Sequence, residues 1–173
     1  PIVVDGKVII TASSGPKEDR LHIVAFDEVT GKQLWHRQFW ATGRTLFHPM
    51  TANATPTPAT DGKRVFAQYS SNDLICLDLD GNLQWMQGLV LDHPKLGNDV
   101  GMSSSPTVVQ GVVIVQCESQ GDSFAAGFDA TTGVLRWKID RPKQAQWASP
   151  VAVLNAEGDP TAVLLQSMFG VSL

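Results

Sequence analysis

Imidazole, amide and carboxylate side chains recur at matching places in two long polar segments. Both segments read His-Pro-x-x-x-Asn, once from His48 to Asn53 and once from His93 to Asn98. Side chains of these types could hold a metal ion or hydrogen-bond a sugar near the centre of the molecule. The ligand-binding candidates are therefore these four residues and three acidic neighbours, namely His48, Asn53, His93, Asn98, Asp99, Glu118 and Asp122.

The same residues also have a purely structural interpretation. Asn can cap a loop, Pro can stiffen it, and His can pack or stay solvated. No His-x-His, His-Glu-x-x-His or Cys-x-x-Cys spacing supports a metal site, and the segment from Glu118 to Asp122 is only a weak version of a calcium loop. No nucleophile elbow, phosphate loop or dinucleotide fingerprint is present, so the sequence assigns no catalytic residue.

Three aromatic residues in polar segments are a second set of candidates for ligand contact. Trp40, Phe47 and Trp147 could act as platforms for a flat ligand or a sugar ring. The alternative is that each ring packs against the edge of neighbouring strands. The sequence leaves both interpretations open.

The elements that must position these residues are revealed by an internal repeat. Ala25–Trp35 and Gly127–Trp137 share one pattern, and Cys76–Trp85 is a copy that is one residue shorter. The copies recur about every 50 residues, which is the period of several repeat architectures. The repeated positions are Asp27, Gly31, Trp35, Asp78, Gly81, Trp85, Asp129, Gly133 and Trp137.

We interpret all nine repeated residues as structural. Each Trp offers a large apolar face that can fill the gap between neighbouring units. Each Gly suits a tight turn and leaves room for an adjacent ring, and each Asp can accept hydrogen bonds from turn amides. A catalytic role for the three carboxylates is disfavoured because equal spacing would put one in each unit, far from the others.

Each repeat unit contains about four short strands. Asp5-Gly6 and Asp61-Gly62 lie between β-branched runs, which is typical of hairpin turns. Apolar residues alternate or run continuously, so no helix is predicted. A sandwich would not repeat its turn chemistry at a fixed period. The fold class predicted is all-β, a β-propeller segment of about three and a half four-stranded antiparallel blades with tryptophan-docking repeats. The blades are placed at about 1–39, 55–87 and 105–140, with an incomplete one at 148–173.

The predicted topology separates short turns from long loops. In an up-and-down blade the Asp-Gly and Thr-Gly turns share one face, and the remaining connections share the other. Long loops gathered on a rigid scaffold are where binding usually resides, so this second face is the predicted binding face. Its loops are Ser13–Arg20, Trp40–Thr55, Ser70–Asp73, Gly88–Ser104, Ser119–Ser123 and Arg141–Gln146.

Composition narrows the partner classes. The 173 residues carry a net charge of −4 with Lys and Arg scattered, which predicts no nucleic-acid partner. No apolar stretch is long enough to cross a bilayer. Cys76 and Cys117 lie in apolar strand-like runs, which predicts two buried free thiols, with a disulfide between neighbouring repeats as the alternative.

The pattern Ala-x-Asp-x-x-Thr-Gly-x-x-x-Trp resembles the tryptophan-docking repeat of pyrroloquinoline-quinone (PQQ) repeat propellers. The first copy matches it fully, the third has Gly127 in place of Ala, and the second has Cys76 there and one turn residue fewer. The resemblance covers nearly the whole chain. In this superfamily eight-bladed quinoprotein dehydrogenases bind PQQ and calcium, whereas the lipoprotein of the outer-membrane β-barrel assembly machinery shares the fold and binds proteins without a cofactor.

This resemblance implies two functional hypotheses. The first is a non-enzymatic, periplasmic or extracellular binding or scaffold module that uses its long loops to bind a protein or carbohydrate and needs no cofactor. The alternative is a fragment of a PQQ- and calcium-dependent quinoprotein dehydrogenase. In those enzymes the quinone stacks on a Trp and lies beneath a disulfide between adjacent cysteines. Those enzymes also use an Asp base beside calcium. Neither that Asp nor the stacking Trp can be assigned to a residue here, and this segment has no adjacent cysteines.

Three and a half blades cannot close a ring. Pro1 already lies in a strand-like phrase, and neither an initiator Met nor a signal-peptide pattern is present in this segment. We therefore expect the remaining blades to come from the rest of a longer polypeptide. The alternative is that two such arcs pair about a two-fold axis.

Overall fold

The computed structural model describes residues 1–173 as four antiparallel sheets, each with its strands in sequential order. The first sheet comprises β1 (Ile2–Val4), β2 (Lys7–Ser14), β3 (Arg20–Asp27) and β4 (Gln33–Trp40). The second comprises β5 (Ala59–Thr60), β6 (Arg64–Gln68), β7 (Asp73–Asp78) and β8 (Leu83–Gly88). The third comprises β9 (Thr107–Val109), β10 (Val112–Cys117), β11 (Phe124–Asp129) and β12 (Leu135–Asp140). The fourth comprises β13 (Val151–Leu154), β14 (Pro160–Ser167) and β15 (Gly170–Ser172).

The sheets are arranged like wedges about a common centre. The first strands of successive sheets contact one another, β1 with β5, β5 with β9 and β9 with β13, so these strands are innermost. The fourth strands β4, β8 and β12 end their sheets, and most residues of β4 and β12 are exposed. This is the arrangement of a partial β-propeller, and the predicted all-β fold class is confirmed.

The second sheet is buried on both faces. Val65, Ala67 and Ile75 pack towards the first sheet, while Phe66 and Leu74 pack towards the third. A strand that is covered on both sides has no solvent-facing positions, which explains the continuous apolar runs in place of alternation.

The two cysteines are free and buried, as predicted. Both lie in the apolar cluster between the second and third sheets. Burial is the main reason that the pKa of each thiol, Cys76 and Cys117, is raised to about 12.

One short helix departs from the sequence prediction. The expectation of no helix was wrong at α1 (Leu89–Asp92), a single turn that follows β8 and is closed by a hydrogen bond of 3.0 Å from His93 N to Leu89 O. Its first residue packs into the core between the second and third sheets. One turn is too short to show helical periodicity, so tertiary burial decides its conformation. No helix within residues 1–173 has the length and apolarity required to cross a bilayer.

The repeated Trp and Gly residues meet across the gaps between sheets. The Trp35 ring lies over Gly81 of the second sheet, where an added Cβ would be 2.8 Å from Cδ2 of the ring. Trp85 lies in the same way over Gly133 of the third sheet, at 2.6 Å. The Trp35 indole N–H donates to the carbonyl of Leu79 at 2.9 Å, and that of Trp85 to a carbonyl of the third sheet at 3.1 Å. Each of these Trp rings therefore packs on a turn of the next sheet, at a glycine that has no side chain to block it.

The last repeated ring has a different environment. Trp137 packs beside Gly127 of its own sheet and lines an apolar cavity of about 470 Å³ between the third and fourth sheets. At the other end of the chain, a Cβ added at Gly31 would meet no atom within 4 Å. Two of the three rings thus contact a neighbouring turn glycine.

The repeated Asp residues hold the turns between the third and fourth strands. Asp27 Oδ1 accepts hydrogen bonds from the Thr30 hydroxyl at 2.6 Å and from the Thr30 backbone N–H at 2.7 Å. Asp129 accepts from Arg136 and from the backbone N–H of Thr132. Donors that stabilise a carboxylate lower its pKa, so the pKa of Asp27 is lowered chiefly by the Thr30 hydroxyl and that of Asp129 chiefly by Arg136.

Candidate binding face

The long loops open into several cavities at one end of the sheets. The first, which we call the Trp147 cavity, has a volume of about 320 Å³ and lies between the links that join successive sheets. Its lining residues include His48, Thr51, Thr55, Val100, Met102 and Trp147. A second, the Arg44 cavity, has a volume of about 170 Å³ and is lined by Arg44, Asn72, Lys95, Asn98 and Asp99 among others.

Ser70 forms the wall that the two cavities share. Its hydroxyl donates to the Leu46 carbonyl at 3.0 Å and accepts a hydrogen bond from Met102 N–H at 2.7 Å. One side chain therefore joins two long loops, and the cavities on either side of it are immediate neighbours.

A buried carboxylate anchors the first of these loops to the second sheet. Asp73 accepts hydrogen bonds from the backbone N–H of Thr42 at 3.1 Å and from the Thr42 hydroxyl at 2.6 Å. The Ser71 hydroxyl also donates to this carboxylate, at 2.6 Å. Burial outweighs these bonds and raises the pKa of Asp73. The loop that contains Arg44 and His48 is thus fixed near its beginning.

The Trp147 ring is held in place while one of its faces stays accessible. Its indole N–H donates to the Gly101 carbonyl at 3.0 Å, and the side chain remains 45% exposed. Across the cavity, His48 Nδ1 accepts a hydrogen bond of 3.1 Å from the backbone N–H of Met50. Of the three aromatic candidates, Trp147 lines the Trp147 cavity, Phe47 lines a separate cavity and Trp40 lies under the Arg20 guanidinium.

The two candidate Asn residues fasten their loops to neighbouring segments of the same face. Asn53 is fully buried, and its amide donates to the Glu18 carbonyl at 3.0 Å and accepts from Ser71 N–H at 2.8 Å. Asn98 donates to the Glu118 carbonyl at 3.1 Å, whereas its own buried oxygen has no partner. The shared His-Pro-x-x-x-Asn phrase therefore places an Asn in a loop-capping position in both copies.

The acidic candidates make internal contacts. Glu118 is 1% exposed, and its Oε1 accepts hydrogen bonds from Arg141 Nε at 2.6 Å and from Gln116 Nε2 at 3.1 Å. Asp122 accepts from the backbone N–H of Lys95 at 3.1 Å. Asp99 is exposed at the wall of the Arg44 cavity.

His93 lies apart from the other candidates. Its ring stacks on Phe124 with 4.4 Å between ring centroids, in a third cavity of about 210 Å³. The seven candidates therefore do not meet in one polar site. His48 lines the Trp147 cavity, Asn98 and Asp99 line the Arg44 cavity, and Asn53, Glu118 and Asp122 make internal hydrogen bonds.

The described residues do not fit a calcium site. Among the candidate residues Glu118 is the buried carboxylate, and it forms an ion pair with the Arg141 guanidinium at 2.6 Å. A second cation beside this pair would be repelled. No group of three or more His, Cys, Asp or Glu side chains in residues 1–173 is placed to hold a metal ion.

Glutamine is a fourth repeated residue type, which the sequence prediction missed. Gln68, Gln116 and Gln166 recur near the end of the second strand of their sheets, with a spacing close to that of the main repeat. Gln116 Nε2 donates to the Gln166 carbonyl at 2.7 Å, and Gln68 Nε2 lies 3.6 Å from Cys117 Sγ. These amides link neighbouring sheets, and their period was the signal that could have revealed them.

The architecture and its repeated residues define the chain as a segment of a PQQ-like repeat β-propeller. The chain belongs to the family whose model is described as outer membrane protein assembly factor BamB, which matches residues 1–103 and, in an overlapping alignment, residues 22–171. No curated protein matches the sequence.

Several solved structures share the fold. A europium-containing methanol dehydrogenase is 18% identical with a TM-score of 0.57, over 80% of this chain and 23% of that chain. A quinohemoprotein alcohol dehydrogenase from Comamonas testosteroni is 21% identical with a TM-score of 0.56, over 81% of this chain and 20% of that chain. The C-terminal domain of PilY1 from Pseudomonas aeruginosa is 17% identical with a TM-score of 0.58, over 91% of this chain and 35% of that chain.

These likenesses are at low identity and concern the fold alone. The chain spans roughly a fifth of the length of the two dehydrogenases, since the matches cover 23% and 20% of them.

Proposed function

We propose that this chain is a non-enzymatic binding or scaffold module of the periplasm or the extracellular space, and that it binds a protein through its long-loop face. The observation that carries this proposal is the group of exposed apolar side chains around the Trp147 cavity. Val100 and Trp147 line this cavity, and Leu46 lines the neighbouring Arg44 cavity. Met50 lies in the same loop as Leu46, and all four are partly or largely exposed. Apolar residues clustered on a rigid surface are typical of protein interaction sites.

Membership of the family supports the location. The matching model is named for an outer membrane protein assembly factor, and this name favours a periplasmic or extracellular location for the chain. The polar candidates add to the case for binding over chemistry, because Asn53, Glu118 and Asp122 are hydrogen-bonded to loop or strand neighbours and make the face rigid.

Site-specific photo-cross-linking in the source cells tests the binding face. A photo-reactive residue at Met50, which is 87% exposed on the long-loop face, is expected to give a discrete protein adduct. The matched control is Val29, which is 93% exposed on the short-turn face and is expected to give none. Equal adducts from both positions, or none from Met50, would contradict the proposal.

The dehydrogenase alternative has a separate test. The purified chain is incubated with PQQ and calcium, and both quinone absorbance and reduction of an artificial electron-acceptor dye are measured with primary alcohols as substrates. The proposal predicts neither a bound quinone nor dye reduction. Alcohol-dependent dye reduction that requires both additions would establish the alternative and overturn the non-enzymatic proposal.

A further inference from the structure

We propose that the protein partner presents an extended segment in which one apolar side chain enters the Trp147 cavity and a nearby acidic side chain pairs with Arg44 and Lys95. This inference rests on the proposed function and deepens it by naming the chemistry that the long-loop face recognises. It depends on three features of the two cavities. Most side-chain donors of the Trp147 cavity already bond to the protein itself, the His48 imidazole keeps one N–H for a ligand, and Arg44 and Lys95 form no ion pair.

The walls of the Trp147 cavity have few donors left for a ligand. The Thr51 hydroxyl donates to the His48 carbonyl at 3.0 Å, and the Thr55 hydroxyl donates to the Ala52 carbonyl at 2.6 Å. The Ser70 hydroxyl and the Trp147 indole N–H donate to backbone carbonyls of the same loops. A sugar would lose hydrogen bonds to water in such a cavity without replacing them. An apolar side chain loses none.

The imidazole of His48 supplies one directed donor beside this apolar wall. Its Nδ1 accepts from the Met50 N–H, so the proton of the neutral ring is on Nε2. His48 is exposed, and Ser103 has the other polar side chain of the lining whose donor is not used inside the protein. One N–H and one hydroxyl beside an apolar cavity match the carbonyl and N–H of an extended peptide backbone around a buried side chain.

The Arg44 cavity supplies the charge that selects an acidic neighbour. Arg44 and Lys95 are both exposed there, and neither forms an ion pair in residues 1–173. Asp99 is the one carboxylate in the same lining, so the cavity carries a net positive charge in a chain whose overall charge is −4. Because Ser70 belongs to both cavities, an extended segment can reach from one to the other. Complementary charge favours an acidic side chain at that point.

Short labelled peptides test this recognition directly. The probes are nonapeptides of Gly and Ser that carry Leu and Asp separated by one, two or three residues, with fluorescein on the amino end and an amide at the carboxyl end. Matched peptides replace Leu with Ala, Asp with Asn, or both. Fluorescence anisotropy should show that the Leu and Asp peptide with the favoured spacing binds best, and that either replacement weakens binding about tenfold.

Protein variants assign each half of the motif to its cavity. Trp147→Ala should abolish the preference for Leu and keep the preference for Asp, whereas Arg44→Gln with Lys95→Gln should do the reverse. Trp40→Ala is the matched control, since Trp40 is another exposed loop-end Trp that lines neither cavity. Val100→Ser is a second variant of the Trp147 cavity, should loss of the ring disturb folding, and circular dichroism checks each protein.

The outcomes separate this inference from the proposed function. If no peptide binds, or if all bind alike, while cross-linking from Met50 still yields a discrete adduct, the partner chemistry proposed here is wrong and the binding face remains. If Asn peptides bind as well as Asp peptides, the acidic half is wrong. Loss of both the adduct and the peptide binding would remove the proposed function itself.

Discussion

At the scale of single residues, the contact between a Trp ring and a turn glycine is the most specific feature of this fold. Gly81 and Gly133 lie directly beneath rings of the preceding sheet, and their φ angles of 83° and 71° are in the left-handed region. Gly31 has a similar φ of 68° but no ring above it. The sequence repeats all three glycines alike, and only two of them carry a packing constraint.

The first prediction follows from this difference. Gly31→Ala should cost about 1–2 kcal/mol of unfolding free energy, because Ala strains a left-handed turn. Gly133→Ala should cost about 1–3 kcal/mol more, because its methyl group also collides with the Trp85 ring. Urea unfolding of both variants measures the difference. Equal losses would mean that the ring does not press on the turn.

The second prediction concerns Asp129 and pH. Arg136 and turn amides hold the pKa of this carboxyl below that of an unfolded chain, so its contribution to stability is complete above the unfolded pKa. The contribution is lost as the pH falls below about 4, where the unfolded chain takes up the proton. Asp129→Asn should therefore destabilise the protein at pH 6, and the difference from the wild type should shrink towards pH 2.

The control for this experiment is Glu157→Gln. Glu157 is exposed and its side chain makes no hydrogen bond or ion pair, so thermal unfolding should show little change at either pH. A difference for Asp129→Asn that stays constant down to pH 2 would show that the carboxylate charge is not what stabilises the turn.

At the scale of elements, the second and third sheets owe their stability to apolar faces that cover each other. Strands β6, β7, β10 and β11 are almost wholly buried, and their clusters run from one sheet into the next. A sheet in the middle of such a stack loses contact area on both sides if a neighbour separates. Because both cysteines lie between these two sheets, their reactivity measures whether the sheets have separated.

The third prediction is that neither thiol reacts in the folded protein. With the pKa of each raised to about 12, the thiolate population at pH 8 is about a thousandfold below that of an ordinary thiol. Ellman's reagent should modify Cys76 and Cys117 only as the two sheets separate, and should titrate both thiols at once in urea. Rapid modification of either thiol in the native protein would contradict the close packing of these sheets.

The repeated elements were largely predictable from sequence because local chemistry decides them. Turn glycines, turn-binding Asp residues and β-branched runs are each visible in a short window. The structure adds a register shift at the same place in three sheets, at Ala25/Phe26, Cys76/Leu77 and Gly127/Phe128. No sequence pattern predicts this register shift, because the residue before it is Ala in the first sheet, Cys in the second and Gly in the third.

The candidate site was much less predictable. The sequence grouped His48, His93 and the acidic residues because they share polar chemistry and loop positions. Their partners are distant in sequence, as with Glu118 and Arg141 or Asn53 and Ser71. Loop packing decides which polar side chains form hydrogen bonds within the protein, and a local sequence pattern does not reveal how loops pack. The cavity beside Trp147 likewise combines residues from three links between sheets, which are distant in sequence.

At the scale of the whole molecule, the four sheets form a rotational series of wedges, and the two faces of this series differ. Hairpin turns and long loops alternate along each sheet. The short turns therefore lie on one face of the molecule, and the long loops with their cavities lie on the other. The two end surfaces of the series lie on the first sheet, which includes the turn at Gly31, and on the fourth sheet, where Val151, Leu154 and Val171 are exposed.

The fourth prediction concerns association through these end surfaces. If two arcs pair, static light scattering should give twice the mass of 18.7 kDa at high concentration, with dissociation on dilution. Val171→Ser on the exposed edge strand β15 should then weaken the pairing, whereas Trp147→Ala on the long-loop face should leave it unchanged. We expect the monomer mass at every concentration, and a doubled mass that falls on dilution would establish the pairing instead.

Hydrogen–deuterium exchange with the cross-linked partner is the most direct test of the proposed binding face. The account predicts slower exchange at amides around Val100 to Met102 and His48 to Met50 once the partner is bound, with no change at the turns of Gly31, Gly81 and Gly133. Protection confined to those turns, with unchanged exchange around Trp147, would contradict it.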